Sequence, residues 1–135
     1  MVKQRGTDSF FTIDTIGNAL FERMKAGNSW KTNTPIELRS QLRYLHILHV
    51  NVDGASQMGE MIVNEKIANK VLKIFKSLYD ARYPIERMLL VDEYHADDET
   101  AMRANNTSCF NFRFKSNSTT DISNHGYGLA IDINP

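Results

Sequence analysis

His125 and Asp132 are the residues of this chain whose types and spacing best suit metal chemistry. Six residues separate them, the small Gly128 and Ala130 among them. With His125 on a loop and Asp132 on a following strand, both side chains can fold toward one point. Small residues between them let backbone approach closely where bulk would block a metal or a substrate. Imidazole and carboxylate both bind zinc, with bonds of ~2.0–2.2 Å. Ser123 can hydrogen-bond a ligand or fix the loop, as groups behind metal ligands do. Spacing alone leaves the choice open, because a His with an Asp a few positions on is also a common and chemically silent pair.

The remaining chemistry-bearing residues narrow the options. Cys109 is the only cysteine, so neither an intrachain disulfide nor a cysteine zinc finger can form. A metal would be held by His and carboxylate. His46 and His49 fall on opposite faces of a predicted strand, so at least one of them is structural or faces solvent. His95 sits in an acidic segment with Asp92, Glu93, Asp97 and Asp98. That cluster reads more simply as a solvated loop with helix-capping acids than as catalytic carboxylates. Taken alone, Arg113 reads as a surface arginine closing a strand, and Ser116 and Ser118 as turn residues.

Elements must position these groups. Helical spacing of Ile13, Ile16, Leu20, Phe21 and Met24 predicts a helix over 13–24, with Asp14 as its cap. Leu42 to Val50 is β-branched and aromatic enough for a strand. Asn51-Val52-Asp53-Gly54 is a hairpin turn signal, with Ala55 to Val63 as the returning strand. Asn64 caps a helix predicted over Glu65 to Arg82, with Ile67, Val71, Ile74, Phe75 and Leu78 on one side and Lys66, Lys70, Lys73 and Lys76 on the other. Tyr83-Pro84 stops it. Short strands are predicted at Ile85 to Val91, Cys109 to Phe114 and Gly128 to Ile133, with a brief helix around Asp97 to Arg103. Strands and helices without a βαβ rhythm predict an α+β class, a small mixed or antiparallel sheet packed with helices.

Composition bounds the function. At 135 residues, 41% hydrophobic and 24% charged, the chain has the size and balance of one globular domain. Sixteen basic residues match sixteen acidic ones, so charge offers no argument for nucleic acid as a partner. No apolar stretch approaches the roughly 20 residues of a membrane span. The basic start, Met1 to Gly6, is followed by Asp8, Asp14 and Asn18, without the apolar core of a secretory signal. That fits either a cytoplasmic protein or one whose signal has been removed.

Ser123, His125, Gly128, Ala130 and Asp132 meet the pattern S-x-H-x-x-G-x-A-x-D. This resembles the signature of the D-alanyl-D-alanine carboxypeptidase family, which includes VanY-like enzymes and the L-alanyl-D-glutamate endopeptidases of phage endolysins. The extension Ile133-Asn134-Pro135 resembles the VanY-like branch. Further blocks do too: Pro35-Ile36 through Leu42 to Leu45, Val52-Asp53-Gly54, Gly59 to Asn64 and Tyr83 to Arg87. So do Asp92-Glu93-Tyr94 with Asp97-Asp98, and Asn106-Thr107-Ser108 with Phe110 to Arg113. The similarity runs from about Ile13 to the last residue.

The resemblance implies a hedgehog and DD-peptidase type of fold in a single domain over residues 1–135, with 1–12 flexible and the last part lacking. It implies His125 and Asp132 as zinc ligands, and Arg113 as the group that binds substrate and stabilises charge on the carbonyl oxygen. A guanidinium suits that task, being always charged and offering forked donors. Ser123 and Ser116 are placed behind the ligands or near substrate. In the family a later His completes the zinc site, with a catalytic Glu beside it. Only three residues follow Asp132, so both are expected to be absent from this chain. The implied function is zinc-dependent hydrolysis of peptidoglycan stem peptides, of D-Ala-D-Ala carboxypeptidase type and inactive in this 135-residue chain. The alternative is a non-catalytic relative that binds cell-wall peptide or a protein partner. The implied location is periplasmic or extracellular.

Overall fold

A computed structural model of the chain describes residues 9–135. Three strands form one antiparallel sheet in the order β1 (Thr12–Asp14), β2 (Leu42–Val50), β3 (Ser56–Asn64). Among the described residues four α-helices accompany it: α1 (Asn18–Ala26), α2 (Leu38–Gln41), α3 (Glu65–Asp80) and α4 (Asp98–Arg103). Short 3-10 turns lie at Val91–Tyr94 and His125–Tyr127. The class is α+β with a small antiparallel sheet. No helix among the described residues is long and apolar enough to cross a membrane.

The β2–β3 hairpin is the frame. Leu42 pairs with Asn64 and Val50 with Ser56, around a turn in which Gly54 takes φ 84°. Asn51 Oδ1 accepts from Asp53 N and Ala55 N, both at 2.9 Å, so the turn is fixed by one side chain. Side chains alternate across the sheet. Leu42 and Ile62 pack on one face with Phe21, Met24, Trp30, Phe110 and Phe112. Leu45, Ile47, Met61 and Val63 pack on the other, against Ala68, Val71 and Phe75 of α3. Asn64 ends β3 and starts α3, its side chain accepting from Lys66 N at 3.0 Å. Ile74 departs from the predicted stripe: it lies at the stripe's edge and is 52% exposed. The helix ends at Asp80, two residues before the predicted end, in a Schellman arrangement. Arg82 N donates to Tyr79 O and Tyr83 N to Leu78 O, both at 2.9 Å, and Arg82 takes φ 57°.

The predicted helix over 13–24 divides. Thr12 to Asp14 form β1, with Ile13 paired to Leu45, and the helix begins only after Gly17. Asp14 is therefore a strand residue and caps nothing. Residues 1–8 of the segment expected to be flexible lie outside the described residues; Thr12 belongs to the sheet, and the Phe11 ring packs edge-on against Tyr79 with centroids 6.4 Å apart.

The three short strands predicted later in the chain do not form as strands. Each instead gives single hydrogen bonds to the outer edge of β3. Glu60 N donates to Met88 O (2.9 Å), Phe110 N to Ile62 O (3.0 Å) and Asn64 N to Gly128 O (2.8 Å). The edge that a fourth strand would extend is covered piecewise by three segments, and each of these satisfies its other groups elsewhere. Phe112 N, for example, donates to Ser29 O at 3.1 Å. Among the described residues only isolated bridges remain there, such as Ser108 with Asp132 and Phe114 with Ile122.

Candidate metal centre

The third of those covering segments carries His125 and Asp132. Gly128, at φ 72°, docks the loop on the β3–α3 junction, where a Cβ would lie 2.8 Å from Asn64 N and 3.2 Å from the carbonyl carbon of Val63. Asn64 Nδ2 also donates to Tyr127 O at 3.0 Å. The residue that caps α3 therefore also anchors the loop. Behind it runs Cys109 to Arg113. Asn111 N donates to His125 O at 3.1 Å, and Ser123 N to Arg113 O at 2.9 Å. Ser123 Oγ accepts from Gly126 N at 3.0 Å, which fixes the turn bearing His125. Downstream, Ser108 and Asp132 exchange backbone bonds of 3.1 and 3.0 Å.

These anchors bring the two predicted ligands together. His125 Nε2 stands 3.3 Å from Asp132 Oδ2, with the imidazole largely covered (17% exposed) and the carboxylate half-open (48%). His125 Nδ1 lies 2.8 Å from Cys109 O. A carbonyl oxygen only accepts, so Nδ1 carries the hydrogen, and in the neutral ring Nε2 presents its lone pair. Two acceptors then face each other, an arrangement that calls for a cation or a second proton between them. The 3.3 Å separation is that of an ion pair if the ring is doubly protonated, and it is also compatible with a shared metal, since two tetrahedral ligand atoms at ~2.0–2.1 Å from zinc stand ~3.3–3.4 Å apart. The backbone carbonyl behind the ring is the partner that orients a metal-binding His. The pair thus fits two positions of a zinc site. Among the described residues no group of three or more His, Cys, Asp or Glu side chains is placed to hold a metal.

Arg113 adjoins this loop through its backbone, which Gly126 approaches so closely that a Cβ would lie 2.9 Å from Arg113 O. Its guanidinium points to α4, where Nη1 pairs with Asp98 Oδ2. Asn111 Nδ2 reaches Asp98 Oδ1 at 3.3 Å, and Asn111 Oδ1 accepts from Lys31 Nζ at 3.1 Å. The Lys31 ammonium also donates to Asn28 O and Phe112 O, and burial holds it below the usual lysine range. Ser116 is exposed in the turn between Phe114 and Ile122, which is tied by Ser118 Oγ accepting from Asp121 N at 2.8 Å.

The acidic cluster divides by role. Asp97 caps α4, accepting from Thr100 N at 2.9 Å. Asp92 is drawn inward to accept from Ser29 N at 2.9 Å, and burial pushes its carboxyl up. Asp98 pairs with Arg113 while staying half-exposed. His49 is buried with Nδ1 donating to Ile85 O at 2.9 Å, His46 Nε2 lies 3.2 Å from the Tyr44 hydroxyl, and His95 is exposed. Sequence reasoning missed the Cys109 carbonyl and the Asp98–Arg113 pair. The first carries no sequence signal, since every residue offers a carbonyl. The second lay within blocks quoted for the resemblance, where Asp98 read as a capping acid. Burial pushes the Cys109 thiol up to about 12, so this cysteine is a packing residue and not a nucleophile.

No protein-family model, curated protein or solved structure matches the chain.

Proposed function

We propose that the chain is of the DD-peptidase-like lineage of zinc peptidases acting on peptidoglycan stem peptides, with His125 and Asp132 as two metal ligands. The observation that carries this reading is the approach of His125 Nε2 to Asp132 Oδ2, 3.3 Å apart with Nδ1 tied to Cys109 O. The motif resemblance supplies the peptidase and its substrate class. His125 and Asp132 would hold a zinc ion, which would supply Lewis acidity toward the scissile carbonyl and water; Ser123 fixes the turn bearing His125, and the Arg113 guanidinium would bind the peptide. The reading requires a third protein ligand and a general-base carboxylate from outside these 135 residues. Stem peptides lie outside the cytoplasmic membrane, which makes the proposed location periplasmic or extracellular.

A second reading, a non-catalytic binder of cell-wall peptide on the same fold, is favoured by the engagement of Arg113 with Asp98. The reading frame downstream of Pro135 and the activity of the chain it encodes separate the two. A longer chain with a further His and Glu that releases D-Ala from stem peptides, and loses this with His125→Ala, supports the peptidase. A longer chain that holds zinc and cleaves no stem peptide refutes it.

A further inference from the structure

We infer that Lys31 is a positioning residue for Arg113, acting through Asn111 and Asp98. The inference rests on the peptide-binding role proposed above for Arg113, and not on zinc. An ammonium has three donors and no acceptor. Lys31 spends all three on the protein, at Asn28 O (2.9 Å), Phe112 O (2.7 Å) and Asn111 Oδ1 (3.1 Å). No donor is left for a ligand, so this half-buried charge serves geometry. Its acceptors join the turn after α1 to the segment that runs into Arg113.

The amide of buried Asn111 carries the constraint onward. Because Lys31 can only donate, it decides which end of that amide faces it: Oδ1 accepts, and Nδ2 must point away. There Nδ2 donates to Ala96 O at 3.0 Å and to Asp98 Oδ1 at 3.3 Å. A flipped amide would lose all of these bonds and set its own donors against the ammonium. Asp98 thus turns one oxygen to Asn111 and the other, Oδ2, to Arg113 Nη1. Lys31 sets Asn111, Asn111 sets the carboxylate, and in the free chain the guanidinium waits where that carboxylate stands. The backbone is held from the same point, since Phe112, whose carbonyl Lys31 grips, immediately precedes Arg113. Groups that meet a ligand need such locked side chains behind them.

The test is side-chain nitrogen–proton NMR on the full 135-residue chain. In the wild-type chain the Lys31 ammonium should give a resolved signal under conditions where that of exposed Lys66 is lost to exchange with water. Lys31→Met, which keeps the side chain's reach and removes its donors, should shift the Arg113 Nε–Hε and Asn111 Nδ2 signals while the amides of the β2–β3 hairpin hold still. In an Asp98→Ala chain the same change at Lys31 should leave the Arg113 signal where Asp98→Ala alone puts it. If Lys31→Met does not fold, Lys31→Gln, which retains a donor, is read in the same way. An unmoved Arg113 signal in the folded variant, or an equal shift with and without Asp98, overturns the relay. So does a Lys31 ammonium that exchanges as fast as that of Lys66, a reading that needs no variant. Neither zinc nor turnover enters these measurements, so the relay can fail with the peptidase reading intact, and the peptidase reading can fail with the relay intact.

Discussion

Replacing Gly128 by alanine should be far more damaging than the same change at Gly54, although both glycines have positive φ (72° and 84°). At Gly54 an added Cβ meets nothing within 4 Å, so only the left-handed backbone is penalised. That costs about 1 kcal/mol. At Gly128 the same Cβ lies 2.8 Å from Asn64 N, 3.0 Å from Leu42 Cδ2 and 3.2 Å from the Val63 carbonyl carbon. Two of these atoms are backbone at the β3–α3 junction and cannot turn aside. Relief would require breaking the 2.8 Å bond from Asn64 N to Gly128 O. Overpacking of this kind adds roughly 1–3 kcal/mol, for a total near 3 kcal/mol and a melting temperature lower by roughly 10 °C. Urea unfolding of both variants gives the comparison. Equal losses at the two positions would refute the docking of the metal loop on β3.

Other perturbations test separate parts of the account. Burial holds His49 below the usual histidine range, so the unfolded chain takes up its proton first. Stability should therefore be full above the ordinary histidine value of ~6.5 and fall as pH drops through it; urea midpoints from pH 8 to pH 5 should show this fall, and His49→Gln, which keeps a donor for Ile85 O, should flatten it. Arg82→Gly relieves the left-handed strain in the Schellman turn and should stabilise by ~0.5–1 kcal/mol in thermal melts; destabilisation would contradict the assigned helix end. Asp98 and Arg113 are both partly exposed, so a double-mutant cycle with Asp98→Ala and Arg113→Ala should give a coupling of only ~0.2–1 kcal/mol. A larger value would make that pair a pillar of the fold and not a partner that substrate can displace.

What could be read from the sequence was what local chemistry decides. The Asp53-Gly54 turn, the Asn64 cap and the periodicity of α3 are set within a few residues, and they appear as predicted except for the exposed Ile74 and the earlier helix end. Strand β2 matched because its alternation is long enough to serve two faces. β1 was hidden because three residues carry no period, and only pairing with Tyr44 to His46 makes them a strand. The segments around Met88, Phe110 and Gly128 look like strands because each buries alternating side chains. Whether they form one depends on sharing a partner continuously, and the edge of β3 is divided among them. At the site, spacing and resemblance named His125 and Asp132. The tautomer of His125 depends on a carbonyl sixteen residues upstream and is legible only in three dimensions.

Long-range nitrogen–proton NMR of the imidazoles during a zinc titration tests the central claim most directly. Before zinc, the account predicts a proton on Nδ1 of His125, held by Cys109 O. On addition of zinc, the Nε2 resonance of His125 should shift while those of His46, His49 and His95 hold still, and Asp132→Asn should weaken the response. A His125 without its proton on Nδ1, or one whose Nε2 ignores zinc, would contradict it.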